Sequence, residues 1–166
     1  MIISPDAFLI TETGEYYWTP ERVAQAWSNT ERDLKEALKD AKYRRVVILC
    51  GPPGAGKSTW VAKQHDQDTT IYLDAVFTAR KYRAKMLSIV AGCLPVDLVL
   101  FETDPEICIA RNAQRPVNRQ VPEETLRNMI KNLGLNPPTK SEGFRTLWTN
   151  PHLCLGAKPR YSLVLK

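Results

Sequence analysis

The chain has 166 residues, of which 43% are hydrophobic and 25% are charged, a composition typical of one folded domain. Wholesale disorder is disfavoured, and no apolar run approaches the roughly 18 residues of a membrane-spanning helix, so we expect no membrane partner. Residues 1–43 carry a net charge of −3 and residues 44–166 carry +8. The positive part of the chain favours polyanionic partners, although a soluble basic surface explains it equally well.

Strands and helices are predicted to alternate along the chain. Residues 2–4 are a candidate strand, and residues 11–18 form a polar loop tipped with aromatic side chains. Thr19-Pro20-Glu21 is typical of a helix start, because a hydroxyl cap, a proline and an acid follow one another. Apolar residues then recur at helical spacing as far as Ala41.

The continuous apolar run at residues 46–50 predicts a strand that is covered on both faces, and residues 71–73 and 96–101 are predicted as two further buried strands. Helices are predicted after residue 58 to about residue 63, over 79–91, from 104 to about 115, and from 122 to a break at 136–138. One or two further strands are expected within residues 143–166. This alternation predicts an α/β fold with a parallel sheet flanked by helices.

The cysteines and the N-terminus indicate a reducing compartment. Cys50, Cys93, Cys108 and Cys154 lie mostly in apolar runs and lack CxxC spacing, so we expect buried free thiols. The first residues lack the basic region and apolar core of a signal peptide, so a cytoplasmic location is expected. No obligate protein partner is evident.

Residues 51–58 match the phosphate-binding pattern GxxxxGK[ST], with a buried strand before them and a helix after them. In such a loop the backbone amides surround phosphate oxygens. We expect Lys57 to reach the β- and γ-phosphates of ATP and Ser58 to bind Mg²⁺. The expected nucleotide-binding residues of this loop are Gly51, Pro53, Gly54, Ala55, Gly56, Lys57, Ser58 and Thr59.

Asp74 stands at the end of the second apolar run. An acid at this position can hold a magnesium-bound water or help to place the acceptor in a phosphoryl transfer. Capping of a turn is the alternative role. We therefore regard Asp74 as a candidate metal residue.

Arg111, Arg115 and Arg119 are spaced four residues apart, and Arg119 falls in a basic loop between two predicted helices. Arginine stabilises the charge on a transferring phosphoryl group through its planar fork of donors. A basic loop between helices is also typical of a lid that closes over a substrate. The alternative interpretation is a charged face that is simply solvated.

Three segments together resemble the polynucleotide-kinase-like branch of P-loop kinases. They are residues 51–60 (GPPGAGKSTW), residues 111–115 (RNAQR) and residues 121–129 (VPEETLRNM). The resemblance covers residues 46–149. It implies ATP and Mg²⁺ as cofactors, and a P-loop kinase fold with an arginine lid.

The resemblance also implies roles for particular residues. Arg115 is similar to the lid arginine that stabilises the transferring phosphate, and Arg111 is similar to the residue that supports it, so both are expected to bind nucleotide. Residues 74–77 resemble the family's aspartate-containing turn, Asp-x-Thr-Asn. Here the Thr-Asn pair is absent, which makes the role of Asp74 less secure.

A catalytic carboxylate is missing from the place where the family has it, on a strand after the P-loop helix. Residues 64–70 are too few for a strand and helices, whereas residues 3–8 and the following helix resemble that segment. We therefore expect a circular permutation, which is tolerated when the old termini lie close together. Asp6 then becomes the candidate general base. The alternative is an N-terminal extension with Asp6 in a turn.

This interpretation treats residues 1–166 as a single P-loop kinase domain. Residues 1–43 are the permuted segment that carries the base, residues 44–150 are the P-loop and lid core, and residues 151–166 are a C-terminal tail.

A compact permuted kinase resembles the phage kinases that phosphorylate 5-hydroxymethyluracil in DNA, which implies DNA as substrate and, for a phage protein, the host cytoplasm. Kinases of 5′ ends carry an arginine three residues after the base, where this chain has Leu9. Tyr16, Tyr17 and Trp18 are candidates for stacking on a base, or for core packing. The cations of the third helix are candidates for contacting DNA phosphates, or are solvated: Arg80, Lys81, Arg83 and Lys85.

Other functions remain open from the sequence. One is a 5′-hydroxyl polynucleotide kinase of the same fold. Another is a nucleotide-gated binding module in which ATP closes the lid and nothing is phosphorylated. A kinase of a nucleoside or nucleotide is also possible.

Overall fold

One six-stranded sheet runs through the computed structural model, which describes residues 1–151 and 162–163. The strands are β1 (Ile2–Ile3), β2 (Arg45–Cys50), β3 (Thr70–Asp74), β4 (Val96–Glu102), β5 (Thr146–Pro151) and β6 (Ser162–Leu163). Their order is β1-β3-β2-β4-β5-β6. The first five strands are parallel, and β6 pairs antiparallel with β5. The predicted α/β class with a parallel sheet is confirmed.

Within residues 1–151 and 162–163, five α-helices connect the strands. They are α1 (Pro20–Ala37), α2 (Lys57–Val61), α3 (Arg80–Val90), α4 (Pro105–Ala113) and α5 (Glu123–Leu135). Short 3-10 helices span Pro5–Leu9, Val117–Arg119 and Lys140–Glu142. The tail predicted for residues 151–166 falls largely outside the described residues, as does Cys154.

Alternate residues of the central strands pack against opposite layers of helices. In β2, Val46 and Ile48 belong to a core that includes residues of α1 and α3, whereas Val47 and Leu49 belong to a second core with residues of α2 and α4. Both faces of the strand are therefore buried, as its continuous apolar run predicts. The sheet is the middle layer, and its carboxyl edge is left free for a site.

Local signals fix several helix ends. Thr19 accepts a hydrogen bond from the backbone N–H of Arg22 and caps α1, with Pro20 as the first helical residue, as predicted. Helix α5 ends at Leu135, before the predicted break. Three predicted ends were too late, because α1, α2 and α4 stop at Ala37, Val61 and Ala113. Ala41 lies beyond α1 and is exposed, so it is not part of its apolar face.

Arg83 corrects both sequence interpretations of the third helix's cations, because it neither faces solvent nor contacts DNA. It is 0% exposed and makes a two-pronged ion pair with Glu142, at 2.9 Å for each contact. It also donates to the carbonyl oxygens of Phe77, Thr78 and Asn136. Arg83 thus ties α3 to the loop after β3 and to the segment after α5.

The cysteine prediction is correct in part. Cys50 and Cys108 are buried free thiols, and burial raises the pKa of the Cys50 thiol to about 12. Cys93 is free but exposed, because it follows α3 in a surface turn and not in a strand. Among the described residues, no helix has the length and apolar character needed to cross a membrane.

Replacement of Arg83 by alanine should cost about 3–5 kcal/mol of unfolding free energy, because it leaves the Glu142 carboxylate buried without its cation. Arg80→Ala, at an exposed position of the same helix, should change stability by about 0.5 kcal/mol or less. Urea denaturation of both variants measures the difference. Equal stability of the two variants would contradict the structural role of Arg83.

Candidate active site

The carboxyl ends of the parallel strands meet at one edge of the sheet, where a cleft of about 900 Å³ opens. The phosphate-loop motif follows β2, Asp74 ends β3, and Asp6 follows β1. Strands β1 and β3 lie on the same side of β2, so both carboxylates approach the loop from that side. Ligands of open α/β sheets bind at this kind of edge.

The phosphate loop is closed around its own lysine. Lys57 is buried, and its ammonium group donates to the carbonyl oxygens of Gly51 at 2.8 Å and Pro52 at 3.0 Å. Burial lowers the pKa of Lys57, and the negative charge of Asp74 is the largest influence that opposes this shift. Asp6 also acts on Lys57 in the same direction as Asp74. The cation is thus held beneath the loop, facing both acids.

Gly54 explains why the loop requires glycine. Its φ of 80° lies in the left-handed region, and a Cβ built there would stand 2.5 Å from the carbonyl oxygen of Cys108 in α4. Two further contacts join the loop to the β4 side. Thr103 donates to the carbonyl oxygen of Ala55, and Arg111 donates to that of Gly54 at 3.2 Å. Helix α4 and the loop therefore form one close-packed unit.

The two acids differ in exposure. Asp74 is 9% exposed at the end of β3, whereas Asp6 is exposed on the first 3-10 helix, which the hydroxyl of Ser4 caps. Both residues line the cleft together with Ser58 and Thr59 of the phosphate loop. The structure thus brings Asp6 and Asp74 to one cleft, although 67 residues separate them in the chain.

All three arginines of the candidate lid line the same cleft. The segment after α4 is folded back by side-chain contacts. Gln120 donates to the carbonyl oxygens of Ala113 and Arg115, and the Asn112 amide exchanges two hydrogen bonds with the backbone of Val121. Arg111 and Arg115 are half-buried at the cleft, whereas Arg119 is exposed, so the alternative of a solvated charged face is wrong for the first two only.

Tyr16 connects the Asp6 side of the cleft with the segment after α4. Its hydroxyl donates to the Asp6 carboxylate at 3.4 Å. The Asn118 side chain donates to its backbone carbonyl at 3.0 Å, and the Arg119 guanidinium lies 5.2 Å from the ring centre. Burial, and then the charge of Asp6, raises the pKa of Tyr16 to about 12, so its hydroxyl stays protonated as a donor.

Core packing is the wrong interpretation for Tyr17 and Trp18, whereas Tyr16 is half-buried. Tyr17 and Trp18 are each 57% exposed. Tyr17 packs against Arg22, whose guanidinium lies 5.5 Å from the ring centre, while Trp18 lines the cleft. Sequence reasoning missed two further aromatic residues of the cleft, Trp27 and Tyr82. Both lie in predicted helices, and no local pattern there marks a cleft position.

Lys81 and Lys85 of α3 have different surroundings. Lys81 lines the cleft, and its ammonium group lies 5.1 Å from the ring centre of Tyr82. Lys85 forms an ion pair with Glu31 of α1, away from the cleft-lining residues. Of these two, only Lys81 is placed to meet a ligand in the cleft.

The residues present fit a nucleotide triphosphate with its magnesium ion. The loop amides and Lys57 provide donors for phosphates, and Ser58 and Asp74 share the cleft as oxygen donors suited to Mg²⁺. Within residues 1–151 and 162–163, no group of three or more His, Cys, Asp and Glu side chains could hold a metal ion by itself. Magnesium usually keeps waters and phosphate ligands, so a pair of protein oxygens suffices.

A comparison with protein-family models matches residues 67–135 to the family described as AAA domain. That family is of the P-loop nucleotide-binding type and includes kinases. The match covers β3 to α5 and begins after the phosphate-loop motif, so motif and match are separate indications of a nucleotide-binding, kinase-like protein. No curated protein matches the chain.

Replacement of Gly54 by alanine should weaken binding of an ATP analogue at least tenfold, because the new Cβ collides with the α4 backbone. Gly92→Ala is the matched control, since Gly92 also has a positive φ, of 77°, but open space around it. The control should lose only about 1–2 kcal/mol of stability from backbone strain and bind normally. Titration calorimetry with a non-hydrolysable analogue measures both, and equal affinities would contradict the contact.

Proposed function

We propose that the protein is an ATP-dependent kinase that transfers the γ-phosphate to a hydroxyl group in nucleic acid. The observation that carries the proposal is the convergence on one cleft of a phosphate loop, two carboxylates and three arginines. Phosphoryl transfer needs these parts: a phosphate cradle, a group that accepts the hydroxyl proton, and positive charge on the transferring group.

Asp6 is the proposed general base. As the acceptor oxygen forms its bond to the γ-phosphorus, its proton passes to the Asp6 carboxylate, and the bond from that phosphorus to the bridging oxygen of ADP breaks. Lys57 and Arg115 stabilise the negative charge on the transferring group. Arg111 holds α4 against the phosphate loop through its hydrogen bond to the carbonyl oxygen of Gly54. Mg²⁺, which Ser58 and Asp74 would hold, supplies further neutralisation of phosphate charge.

The placement of β1 supports a circular permutation. In the polynucleotide-kinase-like family, the strand that bears the base follows the P-loop helix. Here only residues 62–69 separate α2 from β3, yet a strand with an acid after it pairs parallel with β3, through Ile2 opposite Tyr72 and Ile3 opposite Leu73. The sheet therefore has a strand at the edge next to β3, which the chain supplies from before the P-loop.

The proposed acceptor is the 5-hydroxymethyl group of hydroxymethyluracil in DNA. Leu9, the last residue of the first 3-10 helix, is buried and stands at the position where kinases of 5′ ends carry an arginine. The cleft has aromatic walls beside Asp6, which suit a base that is turned out of the duplex. The net positive charge of residues 44–166 suits a polyanionic substrate.

Labelled phosphate from γ-labelled ATP should enter a 5′-blocked duplex that contains 5-hydroxymethyluracil and should not enter a matched thymine duplex. The reason is that thymine offers no hydroxyl to Asp6. Gel separation of the labelled duplexes measures the transfer. Label only in duplexes with free 5′ ends would make the protein a 5′-hydroxyl kinase, and no label in any acceptor would favour a nucleotide-gated binding module.

Asp6→Asn should lower transfer at least a thousandfold while ATP binding stays unchanged, because the amide cannot accept the proton. Glu12→Gln is the matched control, an exposed acid of the same segment that does not line the cleft. It should retain full activity. Single-turnover rates with saturating ATP give the comparison, and an active Asp6→Asn enzyme would remove Asp6 from the mechanism.

A further inference from the structure

The walls of the cleft include exposed aromatic side chains. Tyr17, Trp18 and Tyr82 are the large aromatic side chains with substantial exposure among the described residues. Trp18 and Tyr82 both line the cleft, and Tyr17 does not. Exposed aromatic rings inside a concave site are typical of ligand contacts.

These rings lie on the acceptor side. Trp18 precedes α1, which follows β1 and Asp6, and Tyr82 lies in α3, which follows β3 and Asp74. The opposite side of the phosphate loop is occupied by residues after β4, where Thr103 and Arg111 contact the loop. The aromatic surface therefore belongs with the two carboxylates.

The Tyr82 ring is held by its neighbours. It stacks on Trp27 with ring centres 5.6 Å apart and planes 10° apart. Trp27 in turn meets the buried ring of Phe77 edge-on, with centres 5.8 Å apart. A ring fixed in this way loses little side-chain entropy when a ligand binds, which makes it a good stacking platform.

We propose that Trp18 and the Trp27–Tyr82 pair form a stacking site for the nucleobase that carries the acceptor hydroxyl, with Lys81 as the contact for an adjoining phosphate. This proposal rests on the proposed kinase function, which makes that base the acceptor. The expected ligand is a flat ring next to a phosphate. Aromatic faces bind any base by stacking, and the Lys81 ammonium group, which lies over the Tyr82 ring, supplies positive charge for a phosphate. A sugar or an aliphatic alcohol would gain neither contact.

The test measures binding without transfer. The probes are 5-hydroxymethyl-2′-deoxyuridine 3′,5′-bisphosphate and the same bisphosphate without its base, titrated by NMR with no ATP present. The base-containing probe should bind the unmodified protein at least fivefold more tightly. Equal affinities for the two probes would overturn the proposal.

Trp18→Ala and Tyr82→Ala should each weaken binding of the base-containing probe about 5- to 100-fold, the range for loss of one base–aromatic stack. Tyr17→Ala is the matched control, with the same exposure as Trp18 but a position outside the cleft lining, and should bind within twofold of the unmodified protein. Trp18 is exposed, so its variant tests the site even where Tyr82→Ala loosens Trp27. Equal affinities of the Trp18 and Tyr17 variants would overturn the proposal.

The two proposals fail in different ways. Labelled phosphate entering the hydroxymethyl duplex, together with normal binding by the Trp18 and Tyr82 variants, would refute the stacking site and leave the kinase function. Binding of the base-containing probe that depends on Trp18, with no transfer to any acceptor, would support the stacking site and refute the kinase function.

Discussion

The buried ammonium group of Lys57 is the feature around which the site is arranged. Its two hydrogen bonds to loop carbonyls fix the loop. Burial disfavours its charged form, and a nearby negative charge stabilises that form. Asp74 at the end of β3, Asp6 after β1 and the three arginines after β4 line the same cleft as Lys57. The cleft thus contains a buried ammonium group, two carboxylates and three guanidinium groups. A transferring phosphate would lie among these charges.

How well the sequence predicts a feature depends on how far apart in the chain the interacting residues lie. The phosphate loop, the cap at Thr19 and the buried strands depend on residues that are neighbours in the chain, so their patterns are legible. The burial of Arg83 depends on Glu142, 59 residues away, and the contact between Tyr16 and Asn118 spans 102 residues. No local pattern contains such partners. Arg83 nevertheless shares a helix face with Met86 and Val90, a periodicity that gave one sign of its burial.

The position of Asp6 depends on a very short strand. Strand β1 has two residues, and the carbonyl oxygen of Met1 extends its pairing with β3 by accepting a hydrogen bond from the backbone N–H of Tyr72 at 2.9 Å. Backbone hydrogen bonds to β3 therefore help to set the position of an acid a few residues later. This explains how a small edge strand can carry a side chain with a demanding geometry.

The contacts of Tyr16 with Asn118 and Arg119 have a kinetic consequence. They join the loop beside Asp6 to the tip of the lid, so the two sides of the cleft do not open independently. In the proposed kinase, an acceptor that binds beside Asp6 would therefore meet a loop whose position is tied to the segment after α4. One hydrogen bond and one ring contact would then make the motion of these two segments part of each turnover.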